Sequence, residues 1–397
     1  MAGFGTYAIK ADRFVLAGGV ARGGYLTVRA GRFGFWQAAR PDCDVVDLSG
    51  CWVAPGLVDT HIHGFAGTST SDLDAAGINR ASVELARRGT TSWLPTTFTD
   101  SVENIAAACA VIAAADEARA ADFLGARMPG IYLEGPFFTE KHKGAQNPAY
   151  LIDPDAEVFD AWQRAAGGRI VKSALAPERA GSGSYIAALR ERGVTTCIGH
   201  SDATYEQALA AVNAGATCFV HTYNGMRGLH HRDPGIVGCA MTTPATYAEV
   251  ICDGRHVAPA ALDALVRAKG WQHTVLITDC LGCGGMPEGE YRSGGLAVEL
   301  RGGLCYLKGT DTIAGSVLTL AEGVKNVVDW GVATAEQALR MASEVPARSA
   351  GIDDVCGLIL PGRRADFIAL DGELNLRGVY VGGSPLSTNH LGTGTND

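Results

Sequence analysis

Four histidines, a glutamate and an aspartate carry the chemistry that can be read directly from this chain. The stretch Pro55-Gly56-Leu57-Val58-Asp59-Thr60-His61-Ile62-His63-Gly64 is a short apolar run that turns polar at its end. On an extended strand His61 and His63 point to one face, roughly 6–7 Å apart along the chain. Two imidazoles so placed can hold one divalent metal. A His-x-His pair by itself serves equally well as two satisfied core histidines, so the rest of the chain has to decide. Glu134, His200, His221 and Asp279 each stand where another apolar, strand-length run stops. Four of the ten histidines therefore sit at strand exits, with two carboxylates at equivalent places. Chance core histidines explain that pattern poorly, and a metal site explains it well.

Imidazoles with a carboxylate suit Zn²⁺ best and also accept Fe, Mn or Co. Five candidate ligands exceed what a single tetrahedral catalytic zinc uses. The simplest division puts His61 and His63 on one ion, His200 and His221 on another, and Glu134 between them, giving one or two metals per subunit. A divalent ion lowers the pKa of a bound water from about 15.7 to about 7. Asp279 then either accepts the water's proton and returns it to a leaving group, or adds one more ligand carboxylate. The chemistry implied is metal-assisted hydrolysis.

The elements that must position these groups alternate. Apolar runs at 56–59, 91–95, 130–133, 170–175, 195–198, 217–220, 248–252 and 275–278 read as buried parallel strands. Helix-like stretches at 79–88, 102–118, 185–192, 205–214 and 259–268 lie between them. Eight βα units over roughly 250 residues predict an α/β fold of the (β/α)8 TIM-barrel type, whose active sites lie at the C-terminal strand ends. A doubly wound open sheet lacks its Gly-x-Gly-x-x-Gly turn here. Both ends of the chain consist instead of short β pieces broken by Gly, Pro and Asp. They predict a small β-sandwich domain from residues 1–54 plus 356–397, around a barrel domain of residues 55–355. After the eighth strand, 291–308 reads as an inserted hairpin, 314–316 as the opening of a helix to 328, and Thr334 as the cap of another to 341.

Composition narrows the partners. The chain has 397 residues, 47% hydrophobic, with a net charge of -9, which argues against nucleic acid or an anionic membrane surface. No segment approaches the ~18 unbroken apolar residues of a membrane span, and no signal-peptide pattern opens the chain. Eleven cysteines, an odd number without framework spacing, fit reduced thiols in a cytoplasmic protein. Cys280 and Cys283 have CxxC spacing but no completing ligand pair, and read as loop thiols.

These motifs resemble the amidohydrolase superfamily, and more narrowly its N-acetylglucosamine-6-phosphate deacetylases. The matching text includes the His61-Ile-His63 stretch, Tyr132-Leu-Glu-Gly-Pro-Phe137, Ile198-Gly-His-Ser-Asp-Ala203 and His221-Thr-Tyr-Asn-Gly-Met226. It continues through Arg232-Asp-Pro-Gly235, Asp253-Gly-Arg-His256, Ile277-Thr-Asp279, Ala314-Gly-Ser316 and Gly362-Arg-Arg-Ala-Asp366. The resemblance implies an amidohydrolase-type barrel in which Glu134, His200 and His221 are the main metal ligands. It implies that His61 and His63 hold a second metal and that Asp279 is the catalytic acid/base. Asn224 and Gly225 would contact sugar and phosphate, Arg232 and His256 the 6-phosphate, and the backbone of Ile313 the acetyl group. Family homodimers lend the arginine across the subunit interface. The implied reaction is deacetylation of an N-acetylhexosamine 6-phosphate in amino sugar catabolism, N-acetylglucosamine 6-phosphate first. One departure matters: Gln146 stands where the pattern has a substrate-contacting histidine, which leaves N-acetylgalactosamine 6-phosphate open. Neighbouring His142 reads as a solvent-exposed loop residue. A cyclic-amidase or dihydroorotase-like enzyme would need a carboxylated lysine at the end of strand four, whereas Lys172 falls inside it. A non-enzymatic scaffold paralogue would have lost ligands that are all present here.

Overall fold

The computed structural model describes residues 5–386. Its centre is a parallel sheet of eight strands, in chain order Leu57–Ile62, Thr90–Thr97, Ile131–Leu133, Ile170–Leu175, Thr195–Ile198, Cys218–Phe219, Tyr247–Ile251 and Thr274–Ile277. Each pairs with the next in the sequence, so the strands wind round in order. The circle closes between the last and first strands, where the Asp279 N–H donates to the His61 carbonyl and the His63 N–H to the Cys280 carbonyl, both at 2.9 Å. The first two strands are buried along their whole length, as expected when helices cover the outside and side chains fill the inside. Trp93 of the second strand joins Ile105, Phe137, Phe159, Trp162, Tyr185 and Leu265 from outside the strands in the largest apolar cluster.

Five helices fall close to the expected ranges, at Ala75–Arg87, Val102–Glu117, Ser182–Glu191, Tyr205–Ala214 and Pro259–Lys269. Helices at Ala156–Ala165, Gly235–Thr242 and Glu344–Ser349 had no counterpart in the sequence reading. Gly235–Thr242 is buried almost all round and glycine-rich, so it offers neither amphipathic period nor strong propensity.

Two expectations after the eighth strand need correction. The insertion is a meander rather than a hairpin, with strands Gly289–Ser293, Leu296–Arg301, Leu304–Leu307 and Ile313–Gly315 in one antiparallel sheet. The helix placed at 314–328 starts instead at Leu320, because Thr319 and Glu322 form a reciprocal capping box that fixes its first turn there. Ala314 is thus strand, and this strand brings Ile313 to the catalytic cleft. The helix Ala335–Met341 is capped by Thr334 as expected.

The chain ends share a second, eight-stranded sheet. Thr6–Leu16 runs parallel to Asp44–Pro55, which pairs antiparallel with Phe367–Leu370. Asp44–Pro55 leads through Gly56 straight into the first barrel strand, tying the N-terminal end of that strand, opposite the metal-facing end, to this sheet. A Cβ at Gly56 would fall 1.9 Å from the Thr91 hydroxyl, so only glycine fits the junction. Residues 1–4 and 387–397 of the expected terminal domain lie outside the described residues. No described helix is long and apolar enough to cross a membrane.

Candidate metal centre and catalytic cleft

The strand ends bring six side chains onto one point. Glu134 Oε1 lies 3.2 Å from His61 Nε2, 3.3 Å from His200 Nε2 and 3.1 Å from His221 Nε2. Its other oxygen lies 3.2 Å from His63 Nε2. Asp279 Oδ1 stands 3.2 Å from His63 Nε2 and 3.6 Å from His61 Nε2. Two donor sets result, His61 with His63 and Asp279, and Glu134 with His200 and His221. These are the groupings expected from the sequence, with Asp279 added to the first.

The backbone is bent to achieve this. His200, His221 and Asp279 have φ of 45°, 23° and 50°, left-handed values that cost non-glycine residues of order 1–3 kcal/mol each. Hydrogen bonds hold the turns: the Thr139 N–H donates to His200 O at 3.1 Å, and the Ser316 N–H to Asp279 O at 2.9 Å. Gly225, with φ of 59°, supports the ring of His200 from behind. A Cβ there would fall 2.9 Å from His200 Nδ1.

Every ring is fixed in one orientation. His61 Nδ1–H donates to Glu249 Oε2 at 3.0 Å and His63 Nδ1–H to the Thr96 carbonyl at 3.1 Å. His200 Nδ1–H donates to the His142 carbonyl at 2.8 Å and His221 Nδ1–H to the Asn224 carbonyl at 3.1 Å. All four acceptors lack a proton, so each ring carries its proton on Nδ1 and turns the Nε2 lone pair inward, the arrangement of metal-ligating histidines. Phe98 stacks on His63 at 4.0 Å and Phe138 packs on His200 at 4.4 Å, which locks the rings further.

The donor set fits a divalent cation on its own evidence. His61 Nε2 is buried without a hydrogen-bond partner, although the Glu134 oxygen is close. The Nε2 atoms of His200 and His221 face each other at 3.0 Å, lone pair against lone pair. Electrostatics point the same way. Burial depresses protonation of His61, yet Glu134 and Glu249 outweigh it and hold the ring well above the ordinary imidazole range. Burial likewise favours a neutral Glu134, but His61 and the neighbouring rings hold it well below the usual carboxylate range. Positive charge belongs among these atoms.

Beneath the centre lies a pair that the sequence reading passed over. Glu249 Oε1 accepts from Lys172 Nζ, and both side chains are fully buried. Burial raises the Glu249 pKa, but Lys172 and then His61 bring it down to about 2. A glutamate inside the run Tyr247–Ile251 and a lysine inside Ile170–Leu175 were the available signal, since neither residue type is buried unpaired. Lys172 points into the barrel and binds Glu249, as its place inside strand four required. Glu249→Gln should destabilise the fold by about 3–5 kcal/mol in urea titrations, because a buried lysine loses its countercharge. Adding Lys172→Met should recover most of that loss. Equal stability of wild type and Glu249→Gln would show that the pair is not ionised.

The cleft above the centre is lined by His63, Glu134, Gln146, His200, His221, Asn224, Gly225, His256, Asp279 and Ile313. His256 Nδ1–H donates to Asp253 Oδ2 at 2.6 Å, which orients its ring. Gln146 is clamped: its Oε1 accepts from the Thr99 N–H at 2.9 Å, and its Nε2 donates to Glu134 Oε2 at 2.7 Å. His142 is half-buried, its ring 3.0 Å from Asp202, and it serves the site through its carbonyl. Arg232 is not brought to the cleft; it is exposed, with Nη1–H donating to His231 Nε2 at 2.8 Å. Cys280 and Cys283 follow the eighth strand as buried loop thiols, with Cys283 Sγ 3.3 Å from Cys305 Sγ.

A model of the amidohydrolase family matches residues 52–389. The chain belongs to the amidohydrolase family. Among curated amidohydrolases, the N-acetylglucosamine-6-phosphate deacetylase of Vibrio furnissii is 40% identical over 340 residues, 86% of this chain and 84% of that one. The N-acetylgalactosamine-6-phosphate deacetylase of Escherichia coli O157:H7 is 38% identical over 331 residues, 83% of this chain and 86% of that one. A mutant N-acetyl-D-glucosamine-6-phosphate deacetylase from Mycobacterium smegmatis, solved with N-acetyl-D-glucosamine-6-phosphate, superposes with a TM-score of 0.90. It is 31% identical and covers 96% of this chain and 99% of its own. This amidohydrolase therefore stands with the deacetylases of 6-phosphorylated amino sugars.

Proposed function

We propose that this chain hydrolyses the acetamide of an N-acetylhexosamine 6-phosphate, N-acetylglucosamine 6-phosphate foremost, to acetate and the amino sugar 6-phosphate. The observation that carries this is the convergence of four inward-facing Nε2 atoms, Glu134 and Asp279 at the floor of a cleft also lined by Asn224, Gly225 and His256. The resulting site matches the chemistry of the relatives above. Glu134, His200 and His221 would hold one divalent metal, and His61 and His63 a second. Zinc suits these donors best. A metal so held supplies a Lewis acid for the amide oxygen and makes water a nucleophile near neutral pH.

The chain's own groups do the rest. Asp279, at the lip of the centre, takes the proton of the attacking water as the C–O bond forms. It returns that proton to the nitrogen as the C–N bond breaks, so the amine leaves neutral. Ile313 and its strand wall one side of the acetyl group, and Asn224, Gly225 and His256 receive sugar and phosphate. Arg232, exposed and outside the cleft, is read as the phosphate ligand of the neighbouring subunit in a homodimer. Guanidinium is the usual bidentate partner of phosphate. The same proposal includes a cytoplasmic location and the division into residues 1–54 with 356–397 and 55–355.

A second substrate is favoured by one observation. Gln146 is neutral and held against Glu134, so it offers the sugar at most one N–H and no charge. N-acetylgalactosamine 6-phosphate, the sugar for which the Escherichia coli relative is named, therefore stands beside the gluco epimer. Acetate release from both phosphosugars and both unphosphorylated sugars decides the matter. Loss of the phosphate should lower kcat/KM at least about 100-fold, from two charge-assisted contacts. No acetate from either phosphosugar with metal-loaded protein would overturn the proposal.

A further inference from the structure

A second large concavity lies at the other end of the barrel. Arg127, on the loop after Val102–Glu117, exchanges backbone hydrogen bonds with Thr91 and Trp93 at the start of the second barrel strand. It therefore stands at the N-terminal ends of the strands, away from the metal-facing ends. There a crevice of about 1060 Å³ opens between the barrel and the terminal sheet. Arg127 lines it from the barrel side, and Arg32, Arg363 and Arg364 from the sheet side.

These guanidiniums are poorly neutralised. Arg32 donates to the Gly362 carbonyl at 2.8 Å, Arg127 to the Val355 carbonyl at 3.4 Å, and Arg363 to the Asp353 carbonyl at 2.7 Å. None of the three has a carboxylate within ion-pair distance among the described residues. Only Arg364 does, with Asp366 at 3.2 Å. Each of the three uses one of five donors on a main-chain oxygen and keeps the rest. Asp122 and Asp354 also line the crevice, leaving an excess of positive charge in a chain whose net charge is -9. Arg119, in the adjoining hollow, registers the crowding. Burial first, and then Arg364, Arg127 and Arg169 against the opposing pull of Asp116, bring its guanidinium down to about 10. One flank of the crevice is apolar, formed by Phe123, Leu124, Val381 and Pro385, with Leu124 exposed.

We propose that this crevice binds a small molecule bearing a diphosphate group, as in a nucleoside diphosphate. Guanidiniums lining one crevice with donors to spare are matched to phosphate oxygens, and the volume lies at the upper end of the range for small-molecule sites. The apolar flank gives a ring system somewhere to rest beside the charged end. Because the arginines come from both parts of the fold, such a ligand would brace the barrel against the terminal sheet. The inference is independent of the deacetylase reading.

Calorimetric titration of the metal-loaded protein with pyrophosphate and with ADP tests it. Both should bind saturably, more weakly as salt is raised. Tighter binding of ADP assigns the apolar flank to the ring, and equal binding assigns the site to free polyphosphate; either supports the site. Arg32→Gln, on the surface, and Arg127→Gln should each weaken binding at least about tenfold while acetate release stays unchanged. That combination separates the crevice from the catalytic cleft. No saturable binding of either probe at millimolar concentration, or binding unaffected by both variants, would overturn it.

Discussion

An Asp279→Asn variant is expected to keep its metal and its fold while losing turnover by about 100- to 10,000-fold. The substitution preserves shape at a half-buried position that carries φ of 50°, whose N–H closes the barrel on His61 and whose carbonyl accepts from the Ser316 N–H. Asparagine tolerates that backbone well. What disappears is the basic oxygen 3.2 Å from His63 Nε2. An amide can neither take the proton of water nor hand one to the departing nitrogen. The loss should fall on kcat, with KM for the phosphosugar little changed, because Asn224, Gly225 and His256 stay in place. Metal analysis, a melting curve and steady-state kinetics on one preparation check all three parts. Near-normal turnover would remove Asp279 from the acid/base role. Loss of metal along with activity would make it a ligand, which its place beside His61 and His63 also permits.

The barrel and most of its site were legible because both are written in short-range pattern. An apolar run ended by His, Glu or Asp is a local signal, and a (β/α)8 barrel sends all such ends to one face. Pairing in sequence order then placed His61, Glu134, His200, His221 and Asp279 together without any long-range information. The paired chain ends were visible for the same reason, as glycine-punctuated β pieces.

What escaped the sequence depends on tertiary partners. Glu249 and Lys172 are a buried pair separated by 77 residues, and nothing local says that they meet. Gln146 lines the cleft, but its hydrogen bonds to Thr99 and Glu134 were not legible. A side chain's target cannot be read from its position in a loop. Helix Gly235–Thr242 has no periodicity to read because it is buried almost all round. At 314–316 a plausible opening for a helix lost to the capping box five residues later. The crevice arginines are scattered at 32, 127, 363 and 364, and only the fold assembles them.

Glu134→Gln should have the opposite signature to Asp279→Asn, with metal content near zero and activity lost with it. Glu134 is the one carboxylate within 3.3 Å of all four Nε2 atoms, so its charge serves both donor sets. In the metal-free protein that charge favours a proton on the neighbouring imidazoles, His61 foremost. A glutamine there removes that countercharge, and the metal-free variant should be no more stable than the metal-free wild type. The two proteins part on loading. A ligand at about 100 times its Kd stabilises the native state by about 2.7 kcal/mol, so wild type should melt measurably higher with zinc and the variant should not. His61→Gln should lie between them, since Glu134, His200 and His221 keep one complete set. Stoichiometry would fall there before catalysis is abolished. Full metal content in Glu134→Gln would mean that the imidazoles alone define the centre. No metal at all in His61→Gln would mean that the two sets are one.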